Sequence, residues 1–199
     1  MTSTPPARRL GAATSKTRSQ LVDAAEQLLL EEGYAAVSSR RVGAKAGLKA
    51  QLVHYYFRSM EDLFLEVFRR RADENLARAE RALAADPSLR TLWRLNADLR
   101  GAAFNIEFVA LATHHTAIRA EMAAYAERFR AMQLGALTRA LAAHDDTRAL
   151  PPAAALLLMT GLTQVLSLER ALGVTAGHHE ALAFVERVID ELEPPPGGP

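Results

Sequence analysis

The chain has 199 residues, of which 49% are hydrophobic and 24% are charged, and its formal net charge is +1. This size and composition suffice for one or two folded domains with an apolar core. The absence of cysteine excludes disulfides and cysteine-based metal sites, and no apolar run reaches the roughly 18 residues that a membrane span requires. No long apolar stretch follows the N-terminal arginines, so we expect no secretory signal and a cytoplasmic protein.

Charge is distributed unevenly along the chain. Residues 1–60 contain nine basic and four acidic side chains, so this segment is positively charged and the remainder is weakly acidic. A basic segment of this kind favours contact with a polyanion such as DNA. Local imbalance is also common in proteins that bind no nucleic acid, so the charge alone leaves both interpretations open.

Helical periodicity extends over nearly the whole chain between two ends without it. Residues 1–14 are predicted to form a flexible arm and residues 194–199 a flexible tail. Apolar spacing, turn residues and helix caps predict nine helices and no strand, hence an all-α fold. The predicted helices span about residues 16–32, 39–46, 49–57, 60–84, 88–99, 102–113, 117–143, 152–172 and 178–192.

The segment VSSRRVGAKAGLKAQLVHYYF, which begins at Val37, has the proportions of a helix-turn-helix. Gly47 would form the turn between the two short helices, and the small Ala46 would let them approach closely. Outward positions on the second helix suit DNA, because lysine reaches phosphate or guanine and glutamine pairs with adenine. These outward residues are Lys49, Gln51, His54, Tyr55 and Tyr56. The alternative interpretation is a two-helix corner of a bundle with the aromatic residues in its core.

A longer stretch, residues 17–68, resembles the DNA-binding domain of the TetR family of bacterial repressors. The resemblance lies in Asp23, Ala24 and Ala25, in Glu32-Gly33-Tyr34, in residues 38–48 with Ala46-Gly47, in His54-Tyr55-Tyr56-Phe57, and in Ser59, Glu61 and Leu63. It implies a three-helix DNA-binding domain at residues 15–60, followed by a larger helical ligand-binding and dimerisation domain at residues 61–193. It further implies a transcriptional regulator, a repressor that a small, largely apolar ligand releases from a palindromic operator on double-stranded DNA.

The resemblance also implies which residues contact DNA. Two residues begin the second helix, four enter the major groove, and three complete the contact surface. They are Ser39 and Arg40, then Lys49, Ala50, Gln51 and Leu52, and finally His54, Tyr55 and Tyr56. The chain departs from the family at His54, where tyrosine is usual, and at Met60, where lysine is usual, and both usual residues hold phosphate. The basic residues expected to replace or add to these contacts are Arg58 and, with the arm, Arg8, Arg9, Lys16 and Arg18.

Broad apolar stripes on the last two predicted helices fit either an intramolecular core or a partner chain. The resemblance favours a homodimer in which these helices form a four-helix bundle, and a twofold dimer predicts a palindromic operator. The predicted interface residues are Leu158, Leu162, Val165, Phe184, Val185, Val188, Ile189 and Leu192.

The resemblance implies a small-molecule site in the larger domain, whose ligand must favour one placement of the two DNA-binding heads over another. Large apolar side chains on predicted helices five to eight favour an apolar or aromatic effector, although each alone is more typical of a core. The predicted ligand-binding residues are Trp93, Asn96, Phe104, Phe108, Met122, Tyr125, Phe129 and Met159.

Metal and catalytic sites find little support in the sequence. The pairs His114-His115 and His178-His179 are adjacent residues, which point about 100° apart on a helix, so neither pair chelates a metal through one face. A glycine-rich phosphate loop, a nucleophile elbow and an HExxH motif are all missing from the sequence, so we expect no catalytic residues, no metal and no cofactor. The alternatives to a regulator are a helical adaptor or oligomerisation module without DNA binding, and a helical enzyme.

Overall fold

The computed structural model describes residues 15–97, 101–141 and 151–193, and for residues 102 and 103 it describes only the backbone. Every regular element in these ranges is helical, which confirms the all-α prediction. The α-helices are α1 (Lys16–Glu32), α2 (Ser39–Lys45), α3 (Gln51–Tyr56), α4 (Met60–Ala85), α5 (Leu89–Ala97), α6 (Ala102–His114), α7 (Thr116–Leu141), α8 (Pro152–Ala171) and α9 (His178–Leu192). The predicted arm, the predicted tail and the last residues of the predicted fifth and seventh helices lie outside the described residues.

Local signals in the sequence determine where the N-terminal helices begin and end. The hydroxyl oxygens of Ser15, Ser38 and Ser59 each accept a backbone N–H three residues further on, at 3.1, 3.4 and 3.1 Å, and so cap α1, α2 and α4. Gly33 ends α1 with a φ of 80°, and Gly47 turns the chain between α2 and α3 with a φ of 68°. Glycine adopts these angles without steric cost, and the predicted turn at Gly47 is confirmed. A 3₁₀ turn between α1 and α2 was not predicted.

Contacts divide the chain into two compact units. Among the described residues, the N-terminal unit comprises residues 15–73 and 104–123, and the C-terminal unit comprises residues 74–97, 101–103, 124–141 and 151–193. These limits differ from the predicted domain boundary after residue 60, because the beginning of α4 and all of the described side chains of α6 belong to the N-terminal unit. The assignment of DNA binding and regulation to two separate domains stays a prediction.

The N-terminal unit has its own apolar core. Leu21 of α1, Val42 of α2 and Val53 of α3 are at most 1% exposed, so each of the first three helices contributes to it. Helix α6 joins the same unit through Phe108, whose ring centroid lies 5.2 Å from that of Phe68 on α4. The short α2 and α3 are therefore supported by longer helices and do not depend on their own propensity.

The C-terminal unit has a second core, formed by α5, α7, α8 and α9. Leu92 of α5, Ala136 of α7, Leu156 of α8 and Ile189 of α9 are all 7% exposed or less and belong to one cluster. Glu193, directly after α9, adds a polar tie, because its carboxylate accepts the backbone N–H of the first residue of α5 at 2.8 Å.

Helix α8 is unusually apolar for a helix with so much exposed surface. Of the described helices it alone is long and apolar enough to cross a membrane, with a mean hydropathy of 1.3 in its most apolar window, yet only 17% of that window is buried. The sequence predicted no apolar run of that length. A single helix of this kind is weak evidence for a membrane span.

Candidate nucleic-acid interface and apolar cavity

Helix α3 has one buried side and one side that faces solvent. Its inward residue Val53 is 1% exposed, and Phe57, the first residue after the helix, is 3% exposed, so the helix packs firmly against the core. A hollow of about 410 Å³ lies on its outer side. The side chains that border the hollow are Lys49, Gln51, Leu52, His54 and Tyr55. Five of the nine predicted DNA-contact residues are thus brought together around one concave surface.

The other four predicted contact residues do not border this hollow and lie on α2, on α3 or directly before α3. Ser39 is the half-buried first residue of α2, and Arg40 follows it with an exposed side chain. Ala50 is the half-buried residue before α3. Tyr56 is half-buried, and its ring meets the exposed ring of Tyr55 edge-on, with centroids 5.0 Å apart and planes at 86°. The contribution of each residue to DNA binding stays a prediction.

The close approach expected at Ala46 occurs one turn earlier, at Gly43. A Cβ atom built on Gly43 would lie 2.9 Å from the backbone nitrogen of Ala50 and 3.0 Å from the backbone oxygen of Leu48. Ala46 itself is half-exposed. The close approach of α2 and the start of α3 therefore requires that residue 43 has no side chain. The only sign of this in the sequence is a glycine inside a predicted helix.

Ion pairs determine which basic side chains are available on this surface. Arg41 and Lys45 of α2 pair with the two glutamates that end α1. Within the part of the chain that the structure describes, Arg40 and Lys49 form no ion pair. Because the paired residues are nine and fourteen positions apart, helical spacing within a single element does not reveal them. The positive charge that faces outward is thus smaller than the sequence count implies.

The further basic residues predicted to help bind DNA differ in their surroundings. Arg18 belongs to α1 and not to the arm, since its guanidinium pairs with Glu66 at 2.5 Å and lies over the Phe57 ring, 4.9 Å from the centroid. It therefore stabilises the N-terminal unit. The side chain of Arg58 is 75% exposed and pairs with Asp62 at 3.1 Å. Lys16 begins α1 with an exposed side chain, whereas Arg8 and Arg9 lie outside the described residues.

A second candidate site lies in the C-terminal unit, where α5, α7, α8 and α9 line a cavity of about 720 Å³. Its lining consists of Leu89, Leu92, Trp93, Leu137, Leu141, Ala155, Leu158, Met159, Leu162, Phe184, Val185, Val188, Ile189 and Leu192. All of these side chains are apolar. Leu92 is fully buried, whereas Leu158 and Phe184 are 65% and 57% exposed, so the cavity runs from the core of the unit to its surface.

This cavity is lined by residues from two sites that the sequence predicted separately, and both assignments stay predictions. Seven of the eight predicted dimer-interface residues line it, all except Val165, and so do two of the eight predicted ligand-binding residues, Trp93 and Met159. The lining residues of α5 and α7 other than Trp93 were not predicted. Their apolar spacing on an amphipathic helix was the available signal, but that spacing does not separate a cavity wall from a filled core.

Three of the predicted ligand-binding residues belong to the N-terminal unit instead. Phe104 and Phe108 are 6% and 0% exposed, and their ring centroids are 4.5 Å apart, so they fill the core beside α4. Met122 is half-buried near the start of α7. Their role as ligand contacts stays a prediction.

The remaining three lie in the C-terminal unit but do not line the cavity. The rings of Tyr125 and Phe129 stack with centroids 5.7 Å apart, and burial raises the pKa of Tyr125, whose hydroxyl accepts a hydrogen bond from Asn75. The side-chain oxygen of Asn96 accepts a hydrogen bond from the hydroxyl of Thr160 at 3.3 Å and so joins α5 to α8. These residues also stay predicted ligand contacts.

The two histidine pairs contribute to contacts within each unit. His178 is buried, with its Nε2 atom 2.7 Å from a carboxylate oxygen of Glu169, and this contact joins the end of α8 to the start of α9. The Nδ1 atom of His115 lies 3.6 Å from a carboxylate oxygen of Glu61. Among the described residues there is no group of three or more side chains that could hold a metal ion.

Comparisons with known proteins relate these sites to a family. A sequence model described as bacterial regulatory proteins, tetR family, matches residues 21–67. Over 151 residues the chain is 32% identical to the HTH-type transcriptional regulator BetI of Rhizobium meliloti, covering 71% of this chain and 73% of that protein. A TetR transcription regulator from Haloarcula marismortui has a similar structure, with a TM-score of 0.71, 16% identity and coverage of 88% of this chain and 95% of that one. A transcriptional regulator from Saccharomonospora viridis in complex with choline has a TM-score of 0.72 and 18% identity, covering 82% and 89%.

Proposed function

The chain belongs to the TetR family of bacterial transcriptional regulators, and from this membership we propose that it is a dimeric repressor that a small apolar ligand releases from a palindromic operator. Members of the family bind DNA and regulate transcription, so the chain is a DNA-binding regulator and not an enzyme. We also propose a cytoplasmic location, because a bacterial repressor acts where the chromosome lies.

The observation that carries the DNA-binding role is the outward set of side chains on α3. Gln51 and Tyr55 are exposed on a helix whose inward residue is fully packed, and Lys49 is exposed two residues before that helix. In a helix-turn-helix the second helix enters the major groove, where glutamine recognises adenine and lysine reaches guanine or phosphate. We therefore propose that Gln51 contributes base preference and that Lys49 contributes affinity that depends on salt.

Selection of bound fragments from a random pool of DNA tests this role. A twofold dimer should enrich a palindromic consensus, with half-sites about one helical turn or slightly more apart. If no sequence is enriched by the folded full-length chain, the proposed repressor is excluded and the helical adaptor becomes the better interpretation.

Two substitutions then test the assignment on α3. Gln51→Ala should relax base preference at one position of each half-site, whereas Gln27→Ala, an exposed glutamine of α1, should not. Lys49→Ala should lower the salt slope of binding by about one unit. Lys45→Ala is the matched control: because the Lys45 ammonium already pairs with Glu31, its removal should change the slope less. Unchanged operator discrimination in Gln51→Ala would exclude the proposed groove assignment.

A homodimer through α8 and α9 is supported by apolar side chains that no described contact covers. Leu158, Val165 and Leu168 on α8 and Leu172 directly after it are between 50% and 71% exposed. Soluble monomers rarely leave continuous apolar patches of this kind in water. Analytical ultracentrifugation of the full chain tests the dimer, and a monomer at micromolar concentration would exclude it.

The apolar cavity supports an uncharged effector. None of its fourteen lining residues carries a charge, and a charged ligand in such a lining would lose its hydration without gaining an ion pair. The Saccharomonospora viridis protein binds choline. A quaternary ammonium prefers a cage of several aromatic rings or a carboxylate. The described lining of this cavity has only two aromatic side chains, Trp93 and Phe184, and no carboxylate. We therefore propose an aliphatic or aromatic neutral ligand and not choline.

Binding of the neutral fluorophore N-phenylnaphthylamine, with choline as competitor, tests the effector class. Ala155→Phe adds a ring inside the cavity and should abolish fluorophore binding, whereas Ala153→Phe adds the same ring at an exposed position of α8 and should not. Displacement of the fluorophore by choline at low concentration would exclude the neutral ligand, and equal binding by both variants would place the ligand elsewhere.

A further inference from the structure

The opening of the cavity adjoins the exposed side of α8, because Leu158 belongs to both. Leu158 and Phe184 border the cavity, yet more than half of each side chain is in contact with solvent. Small-molecule sites typically bury about 70–90% of the surface of their ligand. A ligand that rests on Leu92 and Trp93 at the cavity floor would therefore leave its outer side in water unless something covers this opening.

A row of uncharged residues continues from the opening along α8 to the residue directly after it, and all of its members except the half-buried Gly161 are exposed. It consists of Leu158, Gly161, Val165, Leu168 and Leu172. Their spacing alternates between three and four residues, which is the spacing at which one helix packs along another. The row extends for about 21 Å at 1.5 Å per residue, much further than a cavity ligand could cover. Another helix is the natural cover for such a row.

Gly161 provides a second, independent indication of a helix on this side. A Cβ atom built on Gly161 would meet nothing within 4 Å, so contacts within the described chain do not require glycine there. Glycine inside a helix costs about 1 kcal/mol relative to alanine. Its position between Leu158 and Val165 is explained if the backbone of a second helix approaches closely at this point.

The row is suited to contact with its own copy. None of its members is charged, and Glu169, on the same helix, is already paired with His178 of α9. In a twofold interface the residues near the axis face their own counterparts. Glycine and aliphatic side chains tolerate this arrangement, whereas a charged row would repel itself.

We infer that a second copy of the chain closes the cavity, so that the effector site and the dimer interface form a single site. This inference rests on the proposed ligand-responsive dimer. Its consequence is reciprocal linkage: dimerisation raises the affinity for the ligand, and the ligand stabilises the dimer by the same factor. The effector then acts on the helices that set the spacing of the two DNA-binding heads.

The test measures N-phenylnaphthylamine affinity and sedimentation on the full chain over a range of protein concentrations. Val165→Glu places a charge in the row but outside the cavity lining and should produce a monomer that binds the fluorophore about tenfold more weakly or worse. Val109→Glu is the matched control, because Val109 on α6 is 52% exposed and Val165 is 51% exposed. Gly161→Leu should weaken the dimer and the fluorophore affinity together, although leucine favours the helix itself.

The outcomes separate the inference from the proposed function. Joint loss of dimer and fluorophore affinity in Val165→Glu and Gly161→Leu, with circular dichroism unchanged and Val109→Glu normal, supports the inference. A monomeric variant that keeps the wild-type affinity overturns it and leaves the apolar effector site intact. Variants that stay dimeric also overturn it, because the interface then lies elsewhere. A wild-type dimer that does not bind the fluorophore excludes the apolar effector itself.

Discussion

The two compact units of the chain differ in the chemistry of the surface that they leave exposed. The N-terminal unit exposes polar and aromatic side chains on α3, among them Gln51 and Tyr55, whereas the C-terminal unit exposes aliphatic ones on α8, among them Leu158 and Val165. Polar contacts to a nucleic acid exchange readily with water, while apolar surface is stable only when covered. The polar surface of the N-terminal unit is thus compatible with water, whereas the apolar surface of the C-terminal unit is the one that we propose a second copy covers.

Each unit also contains one carboxylate that joins distant parts of the chain through a backbone N–H. In the N-terminal unit, Glu107 of α6 accepts the N–H of Tyr34 at 2.8 Å, 73 residues away. In the C-terminal unit, Glu193 accepts the N–H of Leu89 at 2.8 Å, 104 residues away. Both units thus contain a glutamate that accepts a backbone N–H from a distant helix or turn. The effect of removing that glutamate can therefore be compared between the two units.

The largest effect is expected from Gly43→Ala in the N-terminal unit. The added Cβ would overlap backbone atoms of Ala50 and Leu48 at 2.9 and 3.0 Å, and backbone cannot move aside as a flexible side chain can. We expect a loss of about 2 kcal/mol in the free energy of urea unfolding and a loss of operator binding, because α3 is displaced from α2.

The matched control for Gly43→Ala is Gly135→Ala in α7, which belongs to the C-terminal unit. The nearest atom to its added Cβ is in the mobile side chain of Arg139, at 3.6 Å. Removal of a mid-helix glycine should then raise stability by up to about 1 kcal/mol. A similar loss in both variants would contradict the contrast between a tightly packed N-terminal unit and a more tolerant C-terminal unit.

The next largest effect is expected from Glu193→Ala. The carboxylate of Glu193 accepts backbone N–H groups of Leu89 and Arg90, so it caps α5 and faces the positive end of its helix dipole. We expect a loss of about 1–2 kcal/mol in the free energy of unfolding. Glu191→Ala, at an exposed position on α9, should change it by less than about 0.5 kcal/mol. If both variants lose the same unfolding free energy, the negative charge near the end of α9 is responsible and the hydrogen bonds to α5 are not.

A smaller loss, of about 1 kcal/mol, is expected from Glu107→Ala, because the N–H of Tyr34 loses its acceptor in a half-buried place. Glu107→Gln keeps a carbonyl oxygen at the same position and should restore most of this stability. Chemical denaturation monitored by far-ultraviolet circular dichroism measures both variants. If the glutamine variant is as unstable as the alanine variant, the negative charge and not the hydrogen bond is responsible.

The fold was largely predictable from the sequence because its helix ends are marked locally. Ser15, Ser38 and Ser59 cap helices, and Gly33 and Gly47 end or turn them, through bonds that span only a few residues. The outward residues of α3 followed from the spacing and the resemblance together. Such features depend on neighbours in the chain and can therefore be read without the tertiary structure.

The cavity was less predictable because it depends on how four helices pack. Val188 and Trp93 were assigned to different sites, an interface and a ligand site, yet both line the same cavity. Periodicity identifies an apolar face, but it does not say whether a core, a ligand or a partner covers that face. The close approach at Gly43 was not predicted for the same reason. The atoms that a Cβ at this position would meet belong to Leu48 and Ala50, which lie beyond the turn.

The smallest effect concerns pH and the tie between α1 and α4. The guanidinium of Arg18 donates to Glu66 and holds the pKa of that carboxyl below its ordinary value of 4.5. A carboxyl with a lowered pKa in the folded state stabilises the protein above its ordinary pKa and loses this contribution as pH falls through the folded value. Glu66→Gln should therefore cost at most about 1 kcal/mol at neutral pH, because the pair is partly exposed.

Urea unfolding of the wild type and Glu66→Gln at a series of pH values measures this tie. The difference between the two proteins should be constant near neutral pH and should shrink as pH falls below about 4.5, the ordinary pKa of a glutamate. Glu80→Gln, at an exposed position of α4 in the C-terminal unit, should leave the difference near zero throughout. A difference that grows on acidification would mean that Glu66 is stabilised in its neutral form. The N-terminal unit would then depend less on this charged tie and more on its apolar packing.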